Sequence, residues 1–426
     1  MEVLNILALL GLDSNKFIVE PAIYQCENEI TIHAEQVDDS PRVCPHCGSH
    51  NVVIKDKEFV SINLSSYCIA FSQKVILFLK KRKYKCKKCS KTYTQRTPLV
   101  SKNQGISSAI KFYIYEATKE IISFKKIAKD LKVSEFTVRN IFAHLPTEGR
   151  KPLSTAICID EKRFVTDQGK YACIISNAIT GDLIDVIPSR TSDYLNDFFK
   201  NISQNERQKV RFFVSDMFEG YRTIKKKWFP NAIHIIDYFH VTKLFTDALQ
   251  VLRKQLMNHF SRDSKEYKFL KNNWKIFLIN PYSDSSKLVN EKIIYCTELG
   301  EYKNLKTVIK EYLHIFPEFL ELYNLYSDFN QYIKKGTDRT TVENNLEFII
   351  NKACVSTNYL TNKIGYTLLN FYNEIVDTYS STNVNFLNNG IAEGNNSKIQ
   401  KLISVCNGIR TFATFRKRLL HLKKGG

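Results

Sequence analysis

The sequence lacks any run of about 18 apolar residues, the length that a membrane-spanning helix needs. It also lacks a secretory N-terminus, because Met1–Leu4 contains an acid where a signal peptide has basic residues. These absences predict a cytoplasmic protein with no membrane partner. No disulfide framework is evident: of the 11 cysteines only four form a clear pattern. The others, such as Cys158 and Cys173, lie in apolar runs typical of buried thiols in a reducing compartment.

Acidic residues are few compared with basic ones. There are 43 Asp and Glu against 62 Lys and Arg, which gives a net charge of +19. An excess of this size favours a polyanionic partner, most commonly nucleic acid, over a basic protein without such a partner. The length of 426 residues predicts two or three domains, and the 43% hydrophobic content excludes a chain that is disordered throughout.

Four cysteines form two C-x-x-C pairs, Cys44–Cys47 and Cys86–Cys89, with 38 residues between the pairs. Four thiolates in this spacing favour one structural zinc ion in tetrahedral coordination. Short β-like runs between the pairs predict a zinc ribbon with an enlarged hairpin. Four unrelated cysteines or a redox dithiol are the alternatives, although no thioredoxin-like pattern surrounds either pair.

A basic tract surrounds the second cysteine pair. Residues 74–96 contain ten Lys or Arg and no acid. Like charges on a small fold repel one another, and DNA phosphates would relieve that repulsion. We therefore expect Lys85, Lys87 and Lys88 to bind DNA, with an ordinary solvated surface as the alternative.

Residues 119–143 have the pattern of two short amphipathic helices with a turn between them. Ser134 is a suitable N-cap for the second helix, whose first turn would expose Thr137 and Arg139. This arrangement predicts a helix-turn-helix in which both side chains reach DNA bases. A plain helical linker is the alternative.

After Pro152 the order of elements is β-β-β-α-β-α-β, which is typical of an RNase H-like fold. Asp160 and Asp216 each follow an apolar, strand-like run. On such a sheet the two carboxylates can converge at one edge. Glu393, 177 residues beyond Asp216, could add a third carboxylate. Clustered carboxylates need a cation between them, and oxygen ligands favour Mg²⁺ or Mn²⁺.

Residues 250–380 are rich in helical patterns and predict an α-helical insertion in this core. The aromatic stripes in the insertion, including Phe269 and Tyr312, are predicted to pack between helices. The fold class is thus multi-domain α+β: an N-terminal zinc ribbon, a helix-turn-helix, and an RNase H-like α/β catalytic core interrupted by helices. The expected domains are 1–100, 101–150 and 151–426.

The ordered set of motifs resembles the DDE transposases of the ISL-three insertion-sequence family over nearly the whole chain. Besides the cysteine pairs and helix-turn-helix, the motifs are Ile159-Asp160-Glu161, Ser215-Asp216-Met217, Ile236-Asp237-Tyr238-Phe239-His240, and Glu393-Gly394-Asn395-Asn396-Ser397-Lys398-Ile399. The resemblance implies that Asp160, Asp216 and Glu393 are the catalytic triad and bind two Mg²⁺ or Mn²⁺ ions. It also implies double-stranded DNA as substrate, namely the terminal inverted repeats of the element and a target.

Several neighbouring residues have less certain roles in this interpretation. Asp237 and His240 form an Asp-x-x-His pattern that could assist the triad, or could be a helix N-cap with a partly buried histidine. Glu161 points to the opposite face of a regular strand and lies outside the triad. Lys398 and Lys401 could contact DNA. In many such enzymes a basic, DNA-contacting residue lies seven positions after the glutamate, and here that position is Gln400.

The predicted reaction is metal-dependent DNA cleavage and strand transfer, performed by a homodimer because two element ends must be joined. A non-catalytic DNA-binding regulator derived from a transposase is the main alternative. A recombinase with a Ser or Tyr nucleophile ranks lower, because the sequence has no evident accompanying arginine cluster.

Overall fold

The computed structural model describes residues 13–26, 29–37, 42–64, 74–100, 105–279, 293–296, 300–333, 338–380, 400–401, 403–404 and 409–422. The chain divides into two compact units, one formed by residues 1–149 together with 399–426 and the other by residues 150–398. The C-terminal residues therefore belong to the first unit, whereas the sequence analysis placed them in the catalytic domain. The division into three domains stays a prediction. No described helix is long and apolar enough to cross a membrane.

The first unit contains a five-stranded sheet in which β4 lies between β2 and β3 and also pairs with β5. Strands β2 and β4 are parallel, and the other pairs are antiparallel. Alternate side chains of β4, including Leu77 and Leu79, are buried against Ile32 and Ile62. The strands are β1 (Phe17–Cys26), β2 (Glu29–Gln36), β3 (Val52–Asn63), β4 (Lys74–Cys86) and β5 (Thr92–Thr94).

Three short helices follow the sheet: α1 (Ser108–Ala117), α2 (Phe124–Asp130) and α3 (Glu135–His144). Each begins at a serine whose hydroxyl accepts a hydrogen bond from a backbone N–H three residues on. The predicted cap Ser134 is confirmed, since its Oγ accepts from the Thr137 amide at 3.0 Å. Lys132 takes a positive φ of 53° in the turn between α2 and α3. Two short helices with a turn between them therefore lie where the sequence predicts them, and their assignment as a DNA-binding helix-turn-helix stays a prediction.

A fourth helix, α14 (Phe412–Leu420), packs against these three from the C-terminal end of the chain. Two of its basic side chains, Lys417 and Arg418, are buried and donate to backbone carbonyls. Arg418 donates to the carbonyls of Glu120 and Ile122 at 2.9 and 2.8 Å, and its guanidinium lies over the Phe124 ring. Lys417 donates to the carbonyls of Ala143 and Leu145 at the end of α3. These cations therefore satisfy backbone carbonyls at the end of α3 and in the turn before α2. Helix α14 is thus part of the folded core of this unit.

Replacing Arg418 with methionine should destabilise the first unit by about 2–3 kcal/mol. The substitution keeps apolar bulk but leaves the Glu120 and Ile122 carbonyls without their charged donor. Differential scanning calorimetry would measure the loss. Arg410→Met, at an exposed position, is the matched control. Equal melting of the two variants would contradict a structural role for Arg418.

The second unit is built on a sheet in the order β10-β9-β6-β7-β8. The pairs β6–β7 and β7–β8 are antiparallel, whereas β6–β9 and β9–β10 are parallel. One face packs on α4 and α6, and the opposite face contributes to a smaller apolar cluster with Tyr238. The elements are β6 (Ala156–Thr166), β7 (Gly169–Asn177), β8 (Leu183–Ile187), α4 (Ser192–Lys200), α5 (Gln204–Gln208), β9 (Phe212–Ser215), α6 (Glu219–Trp228) and β10 (Ile233–Ile236).

The rest of this unit is mainly helical. Its largest apolar core buries Phe269, Tyr312, Phe316 and Phe319, which confirms that these aromatic side chains pack between helices. Trp274 is partly exposed. The elements are α7 (Tyr238–Met257), α8 (Lys265–Asn272), β11 (Ile293–Cys296), β12 (Glu301–Asn304), α9 (Leu305–Ile315), α10 (Leu320–Asp328), α11 (Arg339–Cys354), α12 (Tyr359–Asn370) and α13 (Tyr372–Ser380). The β11–β12 hairpin lies where the sequence shows few strand signals.

Candidate functional site

The four predicted cysteine ligands converge at one end of the first sheet. Their sulfur atoms all lie within 4.8 Å of one another, with Cys44 and Cys89 at 3.6 Å and Cys47 and Cys86 at 3.7 Å. A tetrahedral zinc ion with bonds of about 2.3 Å would separate its sulfur ligands by about 3.8 Å. The spacing therefore fits zinc.

Tight turns in the backbone produce this convergence. Gly48 and Ser90, one residue after each cysteine pair, have positive φ angles of 70° and 58°. The backbone amides of Cys89 and Lys88 donate to the Cys86 sulfur and, together with neighbouring thiols, lower the pKa of this thiol to about 6. Amides that stabilise a thiolate are what a cysteine ligand requires.

The basic tract is partly neutralised by acids on neighbouring strands. Ion pairs join Lys74 to Glu29 at 3.1 Å and Lys83 to Glu58 at 3.6 Å. The repulsion inferred from the sequence is thus reduced within the sheet. Lys85, Lys87 and Lys88, beside the cysteine cluster, are exposed and have no ion pair in the described part of the chain. These three remain available for phosphates.

On α3, the two predicted DNA-reading side chains contact their own helix. The Thr137 hydroxyl lies 2.8 Å from the Ser134 hydroxyl, and Arg139 donates to Glu135 at 2.9 Å. Two exposed residues that the sequence analysis did not select are Phe136, which is 77% exposed, and Asn140, one helical turn further on. The sequence contained a signal for this surface. Phe136 is a large apolar residue outside the apolar face of the helix, and it lies four residues before the amide of Asn140.

In the second unit, strand register brings three acids to one level. The parallel pair β6–β9 aligns Cys158 with Val214, so Asp160 and Asp216 each lie two residues beyond this pair. Strands β9 and β10 align Ser215 with Ile236, so Asp237 follows directly beside Asp216. Strands β9 and β10 end at this level whereas β6 continues to Thr166, so the acids lie where the sheet loses two of its strands. The sequence predicts the first two acids at one sheet edge and gives Asp237 only a possible auxiliary role.

Asp216 is the most enclosed of these acids. Burial raises the pKa of its carboxyl, the charges of His240 and Arg190 oppose that effect, and Asp160 adds to it. Its Oδ1 atom is buried and accepts no hydrogen bond from any described residue. A desolvated carboxylate oxygen without a donor fits a cation ligand better than a structural hydrogen bond.

Asp160 has a positive partner on its own strand. The Lys162 ammonium lies 2.8 Å from Asp160 Oδ2, because residues two apart on a strand share a face. The other oxygen accepts from the Glu161 amide at 2.7 Å. Lys162 was not selected from the sequence as a residue of this site.

Asp237 has the helix N-cap role considered from the sequence and also contacts His240, while a catalytic role for the pair stays a prediction. Asp237 is the N-cap of α7, since its Oδ1 accepts from the Phe239 amide at 3.0 Å. Its Oδ2 lies 3.1 Å from His240 Nδ1. Burial lowers the pKa of His240, but the hydrogen bond to Asp237 and the charges of Asp216 and Asp160 outweigh it, so the pKa is raised. The neighbouring acids therefore stabilise the cationic form of His240.

The third predicted acid, Glu393, and the basic residue Lys398 lie outside the described residues. Lys401 is described and exposed. Within the described ranges, no three acidic or histidine side chains bring their ligand atoms as close together as the four cysteines do.

A comparison with known families matches residues 157–419 to the model of the DDE transposases of the ISL3 type, described as Transposase. The match covers more than half of the chain, and the chain belongs to this family. The family expected from the sequence is confirmed, and membership implies that the protein binds DNA.

The chain is also similar to the transposase for insertion sequence element IS1001 of Bordetella parapertussis. The two are 20% identical over 219 residues, which make up 49% of this chain and 52% of that relative. The chain therefore spans about half the length of this curated relative.

Proposed function

We propose that this transposase cleaves DNA at the ends of its own insertion sequence and transfers the cut strand to a target, in a reaction that depends on divalent metal. The observation that supports this most directly is the register of β6, β9 and β10, which aligns Asp160, Asp216 and Asp237. The strand order, with three antiparallel strands followed by two parallel ones, is the arrangement expected of an RNase H-like core.

Two Mg²⁺ or Mn²⁺ ions would be held by Asp160 and Asp216, with Glu393 as the third ligand that the family resemblance implies. Such ions supply nucleophile activation and charge stabilisation in phosphodiester chemistry. The donor set fits them, because it consists of carboxylate oxygens and includes the unpartnered Oδ1 of Asp216. Asp237 lies close enough in the register to serve as a further or alternative oxygen ligand.

The protein's own residues prepare this site before metal binds. Lys162 neutralises Asp160, and the cationic form of His240 offsets the charge of Asp216 and Asp237. Both cations lower the cost of holding several carboxylates together.

DNA recognition would lie in the first unit. One zinc ion held by Cys44, Cys47, Cys86 and Cys89 would fix the end of the sheet where Lys85, Lys87 and Lys88 project. Helix α3 would enter the major groove at the terminal inverted repeat. Lys398 and Lys401 would add phosphate contacts. Since two element ends must be joined, the active assembly would be a homodimer.

The test is to incubate the purified protein with DNA that contains an element end and its flank, with and without Mg²⁺, and to map the cut strand. Cutting at the element boundary that requires the metal supports the proposal. Stable, specific binding without cutting at any metal concentration would instead identify a DNA-binding regulator, and a covalent protein–DNA adduct would identify a Ser or Tyr nucleophile.

The exposed face of α3 gives a second test. Phe136→Ala and Asn140→Ala should each weaken binding to element-end DNA by about 1–3 kcal/mol, since an asparagine amide can pair with adenine and a phenylalanine can contact the thymine methyl group. Titrations by fluorescence anisotropy would measure the change. Phe112→Ala, which removes an exposed phenylalanine of α1, is the control. If all three variants bind alike, α3 does not read bases through this face.

A further inference from the structure

Arg190 lies in the loop between β8 and α4, and it contacts the chain beside both candidate metal-binding acids. Its guanidinium is 2.9 Å from Glu161 Oε2 and lies over the Phe218 ring at 4.3 Å. Glu161 follows Asp160 in the sequence, and Phe218 comes two residues after Asp216. One arginine is therefore held between the two segments that supply the acids.

Two contacts hold the guanidinium in place. Glu161 forms an ion pair with it, and the Phe218 ring lies beneath it in a cation–π contact. An arginine has five N–H donors in a rigid fork, so a carboxylate partner on one edge leaves donors on the other edges. The side chain is 39% exposed, which leaves those donors accessible to a ligand.

The environment of Glu161 is unusual for a purely structural ion pair. Glu161 is only 21% exposed, and Asp160 and Asp216 lie within electrostatic range of it. A third carboxylate in this position adds to the repulsion among the acids, and a neutral residue would avoid that cost. A carboxylate at this position is explained if it holds the Arg190 guanidinium at a defined place beside the acids.

We propose that Arg190 binds a non-bridging oxygen of the DNA phosphodiester at the candidate active site, and that Glu161 is its positioning residue. This inference rests on the function proposed above and adds a substrate-binding residue to it. A planar guanidinium matches two phosphate oxygens, which suits a group that must fix the phosphate relative to Asp160 and Asp216. Glu161 then has a role without belonging to the set of metal ligands.

The experiment compares Arg190→Gln, Arg190→Lys and Glu161→Gln with the wild-type full-length protein, under single-turnover conditions on element-end DNA with saturating Mg²⁺. Arg190→Gln should lower the cleavage rate by about 10²- to 10³-fold, the usual effect of removing one charged or hydrogen-bonding group that stabilises developing charge. Arg190→Lys should recover part of the rate, because it restores charge but not the planar fork. The Mg²⁺ concentration for half-maximal rate should change less than twofold.

Two further measurements separate binding of phosphate from support of the fold. A methylphosphonate at the scissile position should slow the wild type strongly but slow Arg190→Gln little further, because the variant has already lost the contact to that oxygen. The double variant Glu161→Gln with Arg190→Gln should be no slower than Arg190→Gln alone. Arg211→Gln, at an exposed position preceding β9, removes the same charge and is the matched control.

The outcomes are distinct for the two proposals. If the wild type shows no metal-dependent cleavage, the proposed function fails and this inference fails with it. If the wild type cleaves but Arg190→Gln cleaves at the rate of Arg211→Gln, or if methylphosphonate slows Arg190→Gln as much as it slows the wild type, only the assignment of Arg190 is wrong. Thermal melting of each variant confirms that rates are compared between folded proteins, and Arg190→Lys provides the test if Arg190→Gln does not fold.

Discussion

Asp216→Ala is expected to reduce metal-dependent cleavage of element-end DNA by about 10³-fold or more, while binding of the same DNA changes little. The carboxylate supplies one of the oxygen ligands proposed for the ions, and loss of several kcal/mol of transition-state stabilisation costs about tenfold in rate for each 1.4 kcal/mol. Its Oδ1 atom accepts no hydrogen bond from the described residues, so the substitution breaks no structural contact at that oxygen.

The variant Asp216→Asn separates a loss of cleavage activity from a loss of folding. Burial raises the pKa of the Asp216 carboxyl above its ordinary value. A carboxyl with a raised pKa binds its proton more tightly in the folded state, so its contribution to stability falls as pH rises through the interval between the ordinary and the raised values. In the absence of metal at neutral pH, Asp216→Asn should therefore melt at the same temperature as the wild type or higher, although it is inactive.

Cleavage assays with Mg²⁺ and with Mn²⁺, paired with calorimetry, would check both statements. Asp247→Ala is the control, because Asp247 is an exposed acid on α7. Cleavage by Asp216→Ala at a rate near that of the control would remove Asp216 from the proposed ligand set. A large loss of DNA binding in the same variant would assign Asp216 to substrate binding.

Removal of zinc should unfold the end of the first sheet. Binding of a structural zinc ion contributes about 10–16 kcal/mol to the folding of small cysteine sites at neutral pH, more than the apolar contacts of this small region can replace. The buried side chains that surround the cysteines are few, chiefly Val52 and Tyr84. A strong chelator, or Cys86→Ser, should therefore expose β5 and the adjoining ends of β3 and β4 to hydrogen exchange.

Element-end DNA binding should weaken with zinc loss, because Lys85, Lys87 and Lys88 lie within or beside the second cysteine pair. The measurements are zinc content of the purified protein, expected at one ion per chain, and hydrogen–deuterium exchange with and without chelator. Cys354→Ala, which alters a cysteine in the second unit, is the control. Unchanged exchange after complete metal removal would show that the four thiols fold without an ion.

The sequence was most informative where local pattern and chain order decide the structure. The short apolar runs after Pro152 predict the strands β6 to β10, and their order agrees with the sheet. The bounds differ at β6, which continues to Thr166 through Glu161 and Arg163 because these residues pair with β7. Backbone pairing can continue through polar residues when the partner strand is present, so Asp160 lies within its strand and not at its end.

Contacts between distant parts of the sequence were not predictable in the same way. The basic residues of the C-terminal segment suggest a solvated or DNA-binding surface, yet Lys417, Arg418 and His421 are buried. Nothing in the local pattern shows that their partners are backbone carbonyls almost 300 residues earlier. The ion pairs of Lys74 and Lys83 were missed for the same reason, since their acids are on other strands. The contacts of Lys162 with Asp160 and of Arg190 with Glu161 become evident only in the folded structure, since Arg190 reaches Glu161 from a loop that follows β8.

The packing of α14 on α1, α2 and α3 also constrains the order of folding. During synthesis helices α1 to α3 leave the ribosome long before Phe412–Leu420 are made, and the whole second unit is translated in between. Until then Lys417 and Arg418 cannot donate hydrogen bonds to the backbone carbonyls of these helices and turns, namely Glu120, Ile122, Ala143 and Leu145. The fold of α1, α2 and α3 is therefore completed only after α14 has been translated. On the DNA recognition proposed above, we expect fragments that end before residue 409 to bind element ends more weakly than the protein that carries α14.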